Sequence, residues 1–140
     1  MEVKLIENVK QKEYCFDRLF MDHYMLQIEA TTCTNEPDNR LNIIFPDGVA
    51  HFQIANESYK TMIWHRLKEF REKHNYNAWF LEILSKEEYG KYLKEESNGI
   101  FFPEDFSIYY LLFNDDIIEV VTYDTKPMFI YSYTGEYDKD

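Results

Sequence analysis

The amino-acid sequence predicts an α+β fold, a mainly antiparallel sheet of about six strands with two helices packed on one face. The strongest observation is residues 106–123, FSIYYLLFNDDIIEVVTY, where two apolar runs flank Asn114, Asp115 and Asp116 in the pattern of a tight hairpin. Other short runs alternate apolar and polar residues as strands do, whereas two segments repeat apolar residues every three to four positions as helices do. The predicted order is meander, helix, strand, helix, meander.

The strands are predicted from alternation and from the turn residues between them. Leu26, Ile28 and Ala30 occupy every second position of the clearest run. A Pro-Asp-Gly turn at 46–48 is expected to fold one strand back on the next, which would make the first half an antiparallel meander. Residues 2–20 fit either a helix or a short strand. The predicted strands are 24–30, 41–45, 49–55, 78–84, the two arms of the hairpin and 128–133.

The two helices are predicted from apolar spacing and from their caps. The first runs to about Lys73 and is capped by Asn56 or Ser58, whose side chains can accept hydrogen bonds from the first-turn amides. The second begins at Ser85, because Glu88 three positions later completes a capping box, and it stops at an Asn-Gly pair.

The chain is predicted to fold as one domain over residues 1–140. Hydrophobic residues make up 45% and aromatic residues 18% of the sequence, a composition that excludes a disordered chain. Residues 134–140 have the composition of a frayed tail. Because both faces of 106–113 are apolar, we expect this strand at the centre of the sheet with helices over one side.

The net charge of −11 is concentrated in the second half of the chain. Residues 75–140 carry 14 acidic and 5 basic residues, so this half repels phosphate. Nucleic acid and membrane surfaces are therefore not expected as direct partners, and a cationic protein is favoured. No apolar stretch reaches the length of a membrane span and the first residues lack a signal-peptide core, so a cytoplasmic protein is predicted.

No cofactor and no metal are predicted. Cys15 and Cys33 have neither CxxC spacing nor neighbours at zinc-ligand spacing, and we expect two reduced thiols. The four histidines form no metal-ligand motif. The four glycines include no GxG arrangement, which argues against a phosphate-binding loop.

An acidic block overlaps the hairpin. Residues 95–125 contain eight acidic residues and no Lys or Arg, and tyrosines lie close to several of them. Tyrosine is enriched at protein interfaces, and acidic residues attract a basic partner. The sequence therefore predicts a surface that binds a basic protein. Its predicted contact residues are Glu104, Asp105, Tyr109, Asp115, Asp116, Glu119, Tyr123 and Asp124.

This small acidic chain, with the hairpin sequence YYLLFNDDIIEVVTYDTKP, resembles the single-domain immunity proteins that bacteria pair with secreted toxins. The resemblance covers residues 97–127, less than a quarter of the chain, and includes no motif that would carry site residues over. It implies a protein that binds and blocks a toxin domain, often a cationic nuclease.

Two alternatives remain open. Glu82 and Glu119 interrupt predicted strands, and two buried carboxylates with raised pKa values around a cleft would suit a small enzyme or ligand-binding domain. No nucleophile accompanies them, so no catalytic residue is predicted and a binding protein is favoured over an enzyme. The other alternative is a nucleic-acid mimic, in which regularly spaced carboxylates replace phosphates on a DNA-binding protein. A deep cavity lined by both glutamates would favour the enzyme, and a flat acidic surface would favour the binding protein.

Overall fold

The computed structural model describes residues 2–32, 34–56, 61–86, 95–96, 103–123 and 125–133. These residues contain one complete α-helix, α1 (Thr61–Lys73), two further helical residues, Glu95 and Glu96, and one 3₁₀ turn (Pro103–Asp105). The strands are β1 (Val3–Leu5), β2 (Cys15–Asp22), β3 (Met25–Thr31), β4 (Arg40–Phe45), β5 (Val49–Asn56), β6 (Phe80–Ile83), β7 (Ser107–Leu112), β8 (Asp116–Thr122) and β9 (Met128–Ser132).

The strands form two antiparallel sheets. The central sheet has the order β1-β6-β7-β8-β5, and the second sheet has the order β2-β3-β4-β9. The predicted hairpin is confirmed as β7 and β8, which pair along their whole length. The prediction that its first strand is central is also confirmed, because β7 has two strands on either side.

The two sheets pack face to face around the larger core. Alternate residues of β3 and β4 point toward the central sheet and are buried, as the two-residue period predicts. Residues of β6, β7 and β8 meet them from the other side. The fully buried members include Leu26, Ile28, Leu41, Ile43, Phe80, Leu111 and Ile118.

The opposite face of the central sheet is covered by α1. Leu67 is buried there, and Ile63, Trp64 and Phe70 pack beside it at helical spacing. The molecule thus has three layers: the second sheet, the central sheet and the helix. Strands β6, β7 and β8 are apolar on both faces because each face has its own core.

The prediction that 46–48 folds one strand back on the next is wrong. Strand β4 pairs with β3 and β9 in the second sheet, whereas β5 pairs with β8 in the central sheet. The connection therefore crosses between sheets. The chain crosses back between β8 and β9, so these two connections lie at the same end of the molecule.

The predicted fold class, α+β with two helices on one sheet of about six strands, is also wrong. The described residues are mainly antiparallel β, with nine strands in two sheets and one α-helix. The predicted second helix falls mostly outside the described residues. Ser85 and Lys86, at its predicted start, are described and not helical, whereas Glu95 and Glu96 are described and helical. The Ser85 hydroxyl accepts a hydrogen bond from the Glu2 amide at 2.9 Å.

The ambiguous N-terminal segment forms the edge strands of both sheets. Strand β1 pairs with β6, and β2 pairs with β3 through a register shift between Phe16 and Arg18. This bulge shifts the alternation of β2 by one residue, and for this reason the period did not reveal the strand. Between β1 and β2, the Gln11 side chain bonds the backbone of Trp79 and Phe80 and so ties the segment to the central sheet.

Candidate functional site at the open end of the hairpin

The acidic block is divided between the two ends of the hairpin. Asp115 and Asp116 lie at the closed end, where the chain turns from β7 to β8. Glu104 and Asp105, before β7, lie with Tyr123, after β8, at the open end. Six residues of β7 separate the two ends by about 17 Å, at roughly 3.4 Å per residue. These residues therefore do not form one patch.

Two of the other predicted contact residues lie on the strands. Tyr109 is only 3% exposed, and its ring lies 5.6 Å from that of Phe45 in the core between the sheets. Glu119 is half-buried in the middle of β8, opposite Gln53 and Tyr110 on neighbouring strands. The remaining predicted contact, Asp124, lies outside the described residues.

Glu82 and Glu119 lie on opposite faces of the central sheet. Glu82 is opposite Tyr109, which faces the second sheet, whereas Glu119 is opposite Tyr110, which faces the helix layer. Glu82 also forms an ion pair of 3.5 Å with Lys4. Two carboxylates on opposite faces of a sheet cannot act on one substrate. This geometry removes the basis of the enzyme alternative.

The open end of the hairpin meets two other connections. The β2–β3 turn, the β4–β5 crossing and the residues after β8 enclose an open depression of about 470 Å³. We call this end, together with the carboxylates beside it, the loop-end surface. The depression is lined by His23, Tyr24, Asp47, Gly48, Tyr123 and Thr125. Asp22 precedes the lining residue His23, and Glu104 and Asp105 precede Phe106, whose ring contacts the lining residue Tyr123.

A hydrogen-bond network fixes one carboxylate of the depression. The Thr125 hydroxyl donates to Oδ1 of Asp47 at 3.0 Å. The Thr125 carbonyl accepts from the hydroxyl of Thr122 at 2.9 Å and from that of Tyr109 at 3.4 Å. Buried Tyr109 thus supports the surface from beneath. Asp47 itself is exposed, so its carboxylate is oriented by the fold and open to solvent.

Gly48 makes this arrangement possible. Its φ of 68° lies in the left-handed region, and a Cβ built there would lie 2.4 Å from the Thr125 hydroxyl oxygen. Its carbonyl accepts from the Tyr123 amide at 2.8 Å. Gly48 lies in the connection between the two sheets. Its hydrogen bond to Tyr123 and its close approach to Thr125 keep the β8–β9 connection next to Asp47.

Tyr24 is a surface residue that the sequence pattern misplaced. It was predicted as the first member of an alternating strand, but Asp22 pairs with Met25, so His23 and Tyr24 form a two-residue turn. Both have positive φ, 48° and 66°, as a type I′ turn requires. Such turns normally contain Asn or Gly, so the sequence carried no turn signal here. The Tyr24 side chain is 69% exposed.

The closed end of the hairpin has a different electrostatic character. Two causes raise the pKa of Asp116 above its ordinary value of 3.8: partial burial, which is the larger, and repulsion from Asp115. The Phe113 amide donates to the Asp116 carbonyl at 2.8 Å and closes the turn. Phe113, the one aromatic residue of the described turn residues 113–116, is fully buried.

The outer face of the second sheet carries a buried carboxylate. Glu29 accepts hydrogen bonds from Arg18 Nη2 at 3.2 Å and Arg40 Nη2 at 3.0 Å, and also from Arg18 Nε. The bond to Arg18 is the main cause that lowers the pKa of Glu29 below 4.5. Met128 and Ile130, each 48% exposed, lie on the same face. Asp17 interacts electrostatically with the same two arginines, so two basic and two acidic side chains meet on this face, which is also partly apolar.

The described residues bring together no three His, Cys, Asp or Glu side chains that could hold a metal ion. None of the helical residues that the structure describes forms a segment with the length and apolar content needed to cross a bilayer. No family model, no curated protein and no solved structure matches this chain.

Proposed function

We propose that the protein binds a basic protein partner through the loop-end surface and thereby inhibits it, as an immunity protein inhibits a toxin domain. The observation that carries the proposal is the combination of exposed tyrosines with carboxylates at one end of the molecule. Tyr24 is 69% and Tyr123 43% exposed, and Asp22, Asp47 and the 104–105 pair at the same end of the molecule are also exposed. The proposed site of action is the cytoplasm, as the sequence predicts.

Charge and aromatic area have separate roles in this proposal. Carboxylates accelerate the encounter with a basic partner, and this acceleration falls as salt increases. Rigid aromatic rings supply buried area and slow dissociation. Two cations near the site moderate its charge: Lys126 is exposed beyond Thr125, and Lys86 donates through Nζ to the Phe106 carbonyl.

The hairpin offers a matched pair of variants to test which of its ends binds the partner. Glu104→Gln with Asp105→Asn removes two charges from the loop end, and Asp115→Asn with Asp116→Asn removes two from the closed end. The first step is to ask whether a basic protein is encoded beside this chain's gene. That protein is the probe, and the measurement is its association rate at several salt concentrations. We expect the loop-end pair to slow association and flatten its salt dependence more than the closed-end pair.

The closed-end pair should also keep or slightly raise the melting temperature at pH 7. A carboxyl whose folded pKa is raised destabilises the fold once pH rises above its ordinary pKa, and the change Asp116→Asn removes that cost. Equal slowing by both pairs, or no complex with the neighbouring gene product, would contradict the proposed function.

A further inference from the structure

We infer that the loop-end depression is a pocket for an arginine side chain of the partner, an inference that rests on the proposed function. Its lining combines two tyrosines, Tyr24 and Tyr123, with the carboxylate of Asp47. An arginine guanidinium is planar, stacks on aromatic rings and donates a fork of hydrogen bonds to a carboxylate. These three properties correspond to the three side chains.

The carboxylate is already oriented in the absence of a ligand. Asp47 accepts from Thr125 through Oδ1, and Thr125 is held through its own carbonyl by Thr122 and Tyr109. An acceptor that is fixed before binding loses little conformational entropy when the guanidinium arrives. At the closed end, in contrast, Asp115 accepts a longer bond of 3.4 Å from the neighbouring Asn114 side chain, and Phe113 of the turn is buried.

The rings are also placed for stacking. Tyr123 packs one side against Phe106, with ring centroids 5.2 Å apart, and remains 43% exposed toward solvent. Tyr24 is held at the tip of the β2–β3 turn by a backbone conformation that bulky residues rarely adopt. A strained turn that displays an aromatic ring at a depression suggests selection for contact rather than for folding.

The same chemistry occurs inside this fold. The Arg71 guanidinium lies 4.7 Å from the ring centre of Trp64 and 4.6 Å from that of Trp79. Its nitrogens donate to the carbonyls of Ala78 at 3.2 Å and Tyr76 at 3.3 Å. Two rings and fixed oxygens thus already hold one guanidinium of this protein. The loop-end depression offers two rings and a carboxylate, which adds charge attraction.

The test is an NMR titration of the whole chain with N-acetyl-arginine methylamide. Its neutral isostere, the citrulline analogue, and the lysine analogue are titrated in parallel. We expect the arginine compound to shift the amide signals of Tyr24, Gly48 and Thr125, with weaker binding by lysine and none by citrulline. Asp47→Asn should weaken arginine binding about tenfold, whereas Asp115→Asn should leave it unchanged.

Hexa-lysine separates failure of this inference from failure of the proposed function. If hexa-lysine shifts the loop-end signals but the arginine compound does not, the arginine pocket is wrong and the acidic binding surface stands. If neither compound shifts them, both are wrong. Equal binding of the arginine, lysine and citrulline compounds would also overturn the pocket, because stacking and fork hydrogen bonds would then contribute no selectivity.

Discussion

Gly48 shows how a single residue links the fold to the candidate site. Its left-handed conformation carries the chain from one sheet to the other, and the lack of a side chain lets Thr125 approach. Thr125 in turn orients Asp47. Tyr109 supports the same connection from the core, so a residue predicted as a surface contact has a structural role instead.

Gly48→Ala should destabilise the protein by about 2 kcal/mol through backbone strain, with a further cost from contact with Thr125. The measurement is the free energy of unfolding from denaturant titration. The same substitution in a Thr125→Ala background provides the control, because the contact is then absent and only the backbone cost remains. An effect of equal size in both backgrounds would show that the close approach to Thr125 is unimportant.

Glu29→Gln should lower stability at pH 7 and weaken its acid dependence. Because the folded pKa of Glu29 lies below the ordinary value of 4.5, the unfolded chain takes up the proton first as pH falls. The stabilisation is therefore complete above about pH 5 and is lost as pH falls through the folded pKa. Unfolding curves between pH 7 and 3 test this, with exposed Glu13→Gln as the control. Parallel loss of stability in wild type and Glu29→Gln would exclude the ion cluster as the cause.

At the scale of elements, the local sequence pattern predicted the two strands of the hairpin and their pairing. It did not predict which strands pair across the 46–48 turn. The hairpin was predictable because β7 and β8 are adjacent in sequence and strongly apolar. The 46–48 turn contains ordinary turn residues, and nothing in Pro-Asp-Gly states whether the next strand stays in the same sheet. The loop-end surface was partly predictable for the same reason: Glu104, Asp105 and Tyr123 flank the hairpin, whereas Tyr24 and Asp47 join them only through long-range pairing.

The segment between β1 and β2 depends on one side chain with four hydrogen bonds. Gln11 Oε1 accepts from the amides of Trp79 and Phe80 at 2.7 and 2.9 Å, and Nε2 donates to the carbonyls of Phe80 and Ile6 at 3.0 and 3.3 Å. Such a side chain replaces strand pairing where no strand is present.

Gln11→Leu should therefore cost about 1–3 kcal/mol, because it leaves partly buried backbone groups without partners while keeping a similar volume. The control is Gln27→Leu on the outer face of β3, away from the core between the sheets. Hydrogen exchange should also accelerate at the Trp79 and Phe80 amides. Unchanged exchange at both amides would mean that water replaces Gln11 without loss.

For the whole molecule, three layers leave few surfaces available for a partner. The helix covers one face of the central sheet and the second sheet covers the other. The outer face of the second sheet pairs its charges around Glu29, and the turn at the closed end of the hairpin carries two carboxylates beside the buried Phe113. The loop-end surface combines carboxylates with two exposed tyrosines around a depression. The net charge of −11 then steers basic partners toward the molecule as a whole, and the local geometry selects the end.

The most direct test of the loop-end binding site is hydrogen exchange on this chain in complex with a basic protein, sought first among the products of neighbouring genes. We expect slower exchange at Tyr24, Gly48, Tyr123 and Thr125 on binding, with little change at Asp115 and Asp116. Protection confined to the closed end of the hairpin, or to Met128 and Ile130 on the outer face of the second sheet, would contradict it.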